Sequence, residues 1–412
     1  MIKKYRLWDN ILGWTAFAVA AVTYLMTIEP TTSLWDCGEF IASAFKLEVG
    51  HPPGAPFFMI LGNFFANFAG GDVTRVAMMI NAMSGLASAL TILFLFWTIT
   101  HLARRIFLKQ ESDYTAGRII AVLGAGLTGA MAYAFSDTFW FSAVEGEVYA
   151  TSSLFTAVVF WAMLRWEDVA DEPYADRWII LIAFMMGLSI GVHLLNLLAI
   201  PAIVFIYYFR KYEFSWKGFA ASLVVSVILL VIIMYGIIPG IFTVTSKFEL
   251  FFVNSLGMPF NSGMYIHIIL LIAALLLSVW YSFTHQDGKR GFILAALTLI
   301  LSGIWLLTDS VILDLFILAA IVYGAWYLST RNRIVLNTIM TAMLVIVIGY
   351  SSIATIVIRS TANTPMNENN PSNPFALLYY LNREQYGQRP LVHGPYYNAP
   401  VTNYVKGKPT YN

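Results

Sequence analysis

Pro52-Pro53-Gly54-Ala55-Pro56-Phe57-Phe58-Met59-Ile60-Leu61-Gly62-Asn63-Phe64-Phe65-Ala66-Asn67-Phe68-Ala69-Gly70-Gly71 is the stretch that decides the architecture. It carries no charge and has the composition of a membrane segment. If it crosses a bilayer, every later loop changes sides. If it lies along one face, Arg104 and Arg105 stay with the other basic loops. Its opening prolines and its many phenylalanines suit a helix at, or dipping into, the interface.

The distribution of basic residues chooses between the two arrangements, because cytoplasmic loops are enriched in Lys and Arg. The chain has 412 residues, 59% of them hydrophobic and only 11% charged, with a mean hydropathy of +0.71. Soluble domains carry about 25% charged residues. Apolar runs at 11–30, 76–103, 118–136, 150–166, 178–192, 194–209, 218–238, 263–284, 292–308, 311–328 and 334–358 read as spans. Those at 178–192 and 194–209 fall short of the roughly 20 residues that cross comfortably, and they read as a bent pair around His193. With 52–71 on the surface, 16 of the 24 Lys and Arg, from Lys3 to Arg333, fall on one side. The other loops hold only Lys46, Arg75, Lys247 and Arg359, and the remaining four lie in the tail. A crossing at 52–71 would send Arg104 and Arg105 outward and abolish the bias.

The expected fold is therefore an all-α polytopic integral membrane protein. It has about 11 transmembrane helices, its N-terminus inside and its C-terminus outside, with interfacial helices in the first outer loop. Residues 1–358 form the transmembrane domain. Residues 359–412, rich in Asn, Pro, Tyr and Gly, form an extracytoplasmic segment that reads as the start of a larger periplasmic domain. The single cysteine, Cys37, excludes an internal disulfide and reads as a small buried filler. No basic patch or aromatic-basic motif supports nucleic-acid binding.

The polar residues worth weighing sit in the outer loops. Ser33-Leu34-Trp35-Asp36-Cys37-Gly38-Glu39-Phe40 places Asp36 and Glu39 one helical turn apart, and His51-Pro52-Pro53 follows. Prolines after His51 force an extended, rigid turn that fixes the imidazole. The second outer loop carries Glu145 and Glu147 among aromatics. Carboxylates beside a bilayer lose hydration, and chains seldom keep them there without use. Such an acid can act as general base toward a hydroxyl. Arg75 and Arg359 are natural counter-charges, and Arg359 could hold a phosphate bidentately or anchor the last span at the interface. His193 and Asn196 read as a hydrogen-bonding pair between helices. Asp309 reads as a turn residue, and Asp314 needs a buried partner.

Leu34-Trp35-Asp36-Cys37-Gly38-Glu39-Phe40 with Gly50-His51-Pro52-Pro53-Gly54-Ala55-Pro56 resembles the type C glycosyltransferases, polytopic enzymes with an acidic motif in the first outer loop. It resembles most closely a bacterial group, common in Bacteroidetes, related to the transmembrane protein 260 O-mannosyltransferases. The resemblance covers most of the chain from Trp8 to Arg359. It implies an inverting, lipid-phosphate-dependent glycosyltransferase (hexosyltransferase). The sugar, mannose in the O-mannosyltransferase branch, would pass from a polyprenyl-phosphate donor to a Ser or Thr hydroxyl of a secreted or envelope protein. The active site would face the periplasm in a bacterial inner membrane. Asp36 would then be the general base, with Glu39 assisting. His51, Arg75, Glu145, Glu147, His193 and Arg359 would bind substrate, and Arg75 or Arg359 would meet the departing phosphate. The helix from Pro52 would help line the groove for the lipid tail. The acidic pair is Asp-x-x-Glu where metal-dependent relatives have Asp-x-Asp, which argues against a divalent cation. A transporter or flippase for a polar lipid or solute is the alternative, resting on Asp314 and the His193 region, and a structural scaffold is a third.

Overall fold

The computed structural model describes residues 1–285, 288–308, 310–387, 394–405 and 408–411. Its helices run in chain order as α1 (Ile2–Met26), α2 (Cys37–Lys46), α3 (Pro56–Ala66), α4 (Val76–Phe107), α5 (Ala116–Ala134) and α6 (Asp137–Ala143). Then follow α7 (Val148–Val169), α8 (Arg177–Ile190), α9 (Ile200–Lys211), α10 (Trp216–Val231), α11 (Ile238–Leu250) and α12 (Ser262–Thr284). The series closes with α13 (Gly288–Ser302), α14 (Val311–Arg331), α15 (Arg333–Tyr350), α16 (Ala354–Thr361) and α17 (Pro374–Leu381). An antiparallel hairpin, β1 (Val401–Val405) with β2 (Lys408–Tyr411), adds a small sheet to a fold expected to be all-α.

All eleven apolar runs are helical, because an apolar segment in lipid must satisfy its backbone internally. Among the described residues, eight helices are long and apolar enough to cross a membrane: Val73–Phe107, Ala116–Ala134, Val148–Val169, Leu194–Lys211, Trp216–Ser255, Ser262–Thr284, Val311–Arg331 and Arg333–Thr361. The runs outside that set are α1, whose N-terminal half is polar, and the short α8 and α13. Of the expected bent pair, only α8 is short. The 3-10 turn Leu194–Ala199 extends α9 into an 18-residue helix.

The run expected to end at 238 continues through Pro239 as a 40-residue helix, Trp216–Ser255. A proline inside a helix lacks its N–H and pushes back the preceding turn. Here the strain is taken up by a π-helical turn, Ile232–Ile237, just before α11. Lys247 thus lies in the last turn of a helix where a loop was expected. Asp314, which needed a buried partner, lies in the first turn of α14 and folds back on the preceding turn. Its Oδ1 accepts from the amides of Leu307 (3.2 Å) and Thr308 (3.0 Å) and from the Thr308 hydroxyl. Asp309 lies outside the described residues.

Basic residues gather where α1 begins and α4, α7 and α9 end. Arg104 and Arg105 pair with Glu167 and Asp168, and Arg210 and Lys211 pair with Asp171. The carboxylates of the first two loops sit at the other end of α4 and α7.

The two halves of the bundle meet closely where α8 packs on α15. A Cβ on Gly187 would lie 2.5 Å from the carbonyl oxygen of Ile346, and one on Gly349 would lie 2.6 Å from the Leu188 amide. Small residues let membrane helices approach at backbone distance. A Gly187→Ala variant should lose about 1–3 kcal/mol through overpacking. Gly324→Ala on α14, where a Cβ meets nothing within 4 Å, should be neutral or slightly stabilising. Thermal unfolding in detergent distinguishes the two. Equal melting temperatures for both variants would contradict the backbone contact.

Candidate active site

The first loop is fastened before its acids are placed. Asn81, fully buried on α4, donates through Nδ2 to the carbonyls of Glu29 (2.7 Å) and Thr31 (2.9 Å). This holds the segment that runs into Asp36, the residue just before α2. Asp36 is exposed, with Trp35 beside it 90% exposed. Glu39 occupies the first turn of α2, where the helix dipole favours a negative charge.

Glu39 faces the His-Pro-Pro turn. Its Oε1 accepts from the His51 backbone amide (2.6 Å) and lies 2.9 Å from His51 Nδ1. A Cβ at position 50 would lie 2.5 Å from that same oxygen, so a side chain there would have to push the Glu39 carboxylate off the His51 turn. The turn is held from behind by Tyr380 of α17, whose hydroxyl donates to the Gly50 carbonyl at 2.6 Å. The chain after α16 closes over the same place. Val49 donates to Met366 (3.1 Å), and Glu368 donates back to Val49 (3.0 Å). His51 holds the Glu39 carboxyl below the ordinary carboxylate range. Glu39, with smaller help from Asp36 and Glu368, holds His51 above its ordinary value. Each partner thus favours the charged form of the other.

Glu145 and Glu147 flank Gly146, which packs under Asn81 and Ile41. Both acids are buried, each 6% exposed. The Ser33 hydroxyl donates to Glu145 (2.7 Å). Glu147 caps α7, its Oε2 accepting from the Val148 amide (2.9 Å). Burial pushes the Glu147 carboxyl up to about 7, with the charges of Asp36 and Glu145 adding and the Val148 bond and His51 opposing. Cys37 is buried beside these acids, and burial pushes its thiol up to about 12. At neutral pH it is a thiol with little nucleophilic character, the filler expected of it.

His193 accepts from the Leu195 amide at Nδ1 (3.1 Å) and rests against the ring of Tyr149, centroids 5.4 Å apart. Burial lowers its proton affinity, and Arg383 lowers it further. Asn196 bonds to Ser189 (2.7 Å), not to His193, so the pair expected between them does not form. Asp36, Glu39, His51, Glu145, Glu147 and His193 thus share one end of the bundle, linked by contact or by charge.

The two expected cations are engaged elsewhere. Arg75 pairs with its neighbour Asp72 at 3.2 Å. Arg359 donates through Nε to the Leu47 carbonyl (2.6 Å) and through Nη2 to that of Lys46 (3.1 Å), so it caps the C-terminus of α2. Sequence reasoning missed Tyr380 and Glu368, which reach the first loop from more than 300 residues away, and Arg383, whose charge acts on His193, with no motif to announce them. Tyr149, two residues after Glu147, was within reach of it. Among the described residues no three of His, Cys, Asp and Glu converge as a metal-ligand set.

Two cavities adjoin this region. A cleft of about 550 Å³ lies between the end of α11 and residues 360–375, lined by Asn254, Asn261, Asn363, Asn370 and Asn373. An apolar groove of about 370 Å³ shares Asn373 and Pro374 with it and is lined by Ile241, Leu271, Val347, Tyr350 and Leu377. The groove is built from α11, α12, α15, α16 and α17. The helix after Pro52, expected to line such a groove, packs its buried Phe58 and Met59 against α2 and α4 instead.

Residues 36–216 match the family described as Protein O-mannosyl-transferase TMEM260 N-terminal domain. The protein O-mannosyl-transferase tmem260 of Dictyostelium discoideum is 25% identical over 211 residues, which are 49% of this chain and 24% of that protein. Mouse protein O-mannosyl-transferase TMEM260 is 29% identical over 175 residues, 42% of this chain and 22% of that protein. The chain spans about a quarter of the length of these curated relatives, and no solved structure matches it. The matched window opens at Asp36 and includes Glu39, His51, Glu145, Glu147 and His193. Through residues 36–216, then, this polytopic membrane chain is similar to the TMEM260 N-terminal domain, the likeness that its Asp36–Phe40 and Gly50–Pro56 motifs led one to expect.

Proposed function

We propose that the protein is a membrane glycosyltransferase that moves a sugar, mannose by analogy with its named relatives, from a polyprenyl-phosphate donor to a Ser or Thr hydroxyl of an extracytoplasmic protein. The observation that carries this reading is the position of Asp36. It is exposed at the mouth of a carboxylate cluster and close enough to raise the proton affinity of both His51 and Glu147. By the positive-inside rule the arginine-rich end of α4 and α7 is cytoplasmic and the carboxylate end lies outside, in the periplasm of a bacterial cell.

Asp36 takes the proton of the acceptor hydroxyl as its oxygen attacks the anomeric carbon. The bond from that carbon to the donor phosphate breaks on the opposite face, and its electron pair leaves with the lipid phosphate. The anomeric configuration inverts. Glu39, paired with His51, is not the proton acceptor. It holds the charged imidazole, which together with Arg383 forms the positive side of the cluster, where the leaving phosphate gains charge. The apolar groove suits a lipid tail: Leu377 lines it, and Tyr380, one turn further along α17, holds the His51 turn. Glu147 acts through its charge. When ionised, its negative charge favours the positive charge that develops at the anomeric carbon during transfer.

Asp36→Asn in purified membranes, supplied with polyprenyl-phosphate mannose and a Ser/Thr peptide, should lower transfer at least about 100-fold. Melting should be unchanged, because the side chain is exposed. Undiminished transfer would remove Asp36 from this role. The rate should climb with pH through a limb near 7 as Glu147 ionises. Glu147→Gln should flatten that limb and lower the plateau, and a wild-type limb that survives the substitution belongs to another group. Arg383→Gln should raise the KM for the lipid donor several-fold with little change in the KM for peptide.

A further inference from the structure

At the opposite end of the bundle lies a second polar cavity, of about 600 Å³, between α1, α4 and α7. Tyr5, Arg6 and Asp9 line it from α1, Trp97 and His101 from α4, and Arg165 from α7. Three polar atoms from two of these helices are buried there without a hydrogen-bond partner: Asp9 Oδ1, Trp97 Nε1 and His101 Nε2. His101 is 8% exposed. Its Nε2 lies 3.9 Å from Glu167 and its Nδ1 3.7 Å from Asp168, both beyond hydrogen-bonding range. Trp97 Nε1 faces Gly13 on α1, which leaves Asp9 Oδ1, an acceptor, and His101 Nε2 as the orphans that a ligand in the cavity would satisfy.

The charges agree. Asp168 is claimed by Arg104 (3.1 Å) and Arg105 (3.3 Å), which leaves Arg165 at 3.8 Å from it. Among the described residues Arg6 has no ion pair with any acid. The lining then offers Arg6 and Arg165 to an oxyanion, and Asp9 Oδ1 to a group with N–H donors. The cavity also has a lipid-facing flank. The α1 residues that alternate with its lining, Leu7, Trp8, Ile11 and Trp14, are all exposed and apolar. Indoles at a membrane edge mark the headgroup level.

We infer that this cavity seats a phosphoethanolamine group, the headgroup of a zwitterionic phospholipid in the leaflet at the arginine-rich end. The phosphate meets Arg6 and Arg165, the ammonium donates to Asp9, and the acyl chains lie along the outer face of α1. The lipid seats α1 against α4 and α7. Free O-phosphoethanolamine carries the same charged groups without the chains.

The test is native mass spectrometry and thermal unfolding of the whole protein in nanodiscs of phosphatidylcholine, alone or with phosphatidylethanolamine or phosphatidylglycerol. Phosphatidylethanolamine should be retained about fivefold more than either of the others, the difference made by one charge-assisted hydrogen bond, and should raise the melting temperature. Phosphatidylcholine lacks N–H donors, and phosphatidylglycerol lacks the cation. Asp9→Asn should abolish the preference for phosphatidylethanolamine over phosphatidylcholine. Arg6→Gln, at an exposed position that tolerates change, should weaken retention of all three. Equal retention of the three lipids by the wild-type protein would overturn the proposal. So would a preference that survives Asp9→Asn. Protection by soluble O-phosphoethanolamine in pure phosphatidylcholine discs, equal to that by the lipid, would make the ligand a soluble zwitterion and overturn the lipid assignment.

Discussion

The ion pair between Glu39 and His51 is the constraint on which the outer end of the molecule depends. A single carboxylate oxygen accepts from the His51 backbone and faces its ring, which fixes the turn and the imidazole together. A side chain at Gly50 would displace that oxygen. The turn so fixed is then available to Tyr380, which reaches Gly50 from α17. Around it the remaining acids divide by environment. Asp36 is open to water, while Glu147 is buried and protonates near neutral pH. Burial, more than sequence neighbourhood, separates groups that look alike on paper.

Much of this was legible from residue order. Apolar runs located the helices, and the Asp36, Glu39, His51, Glu145 and Glu147 group was identifiable because charges beside lipid are costly. The cysteine behaved as its composition suggested. What could not be read depends on backbone groups brought together by folding. Arg359 looked like a phosphate ligand because its charge is visible in sequence, whereas the α2 carbonyls it caps are not. Asp314 looked like an intramembrane charge, yet it serves the turn just before its own helix. Pro239 looked like an end, because a π turn that absorbs a proline leaves no compositional trace.

The two ends of the bundle solve opposite problems with similar residues. At one end, carboxylates outnumber cations and one of them gains a proton. At the other, arginines and acids from α4 and α7 interlock: Asp168 serves both Arg104 and Arg105, and Glu167 also serves Arg105. Interlocked pairs at a membrane edge hold helix ends together, while an unbalanced cluster holds reactivity in reserve.

The bridge between Val49 and residues 366–368 has a consequence for biogenesis. Loop one is among the first parts of the chain to leave the ribosome, but its final partners are made more than 300 residues later. Until α17 is inserted beside it, the His51 turn lacks its Tyr380 clamp, and the carboxylate cluster lacks one wall. The site therefore matures last although its motif is translated first. A chain halted after α15 would lack both the Tyr380 clamp and the 366–368 bridge, and with them the completed site.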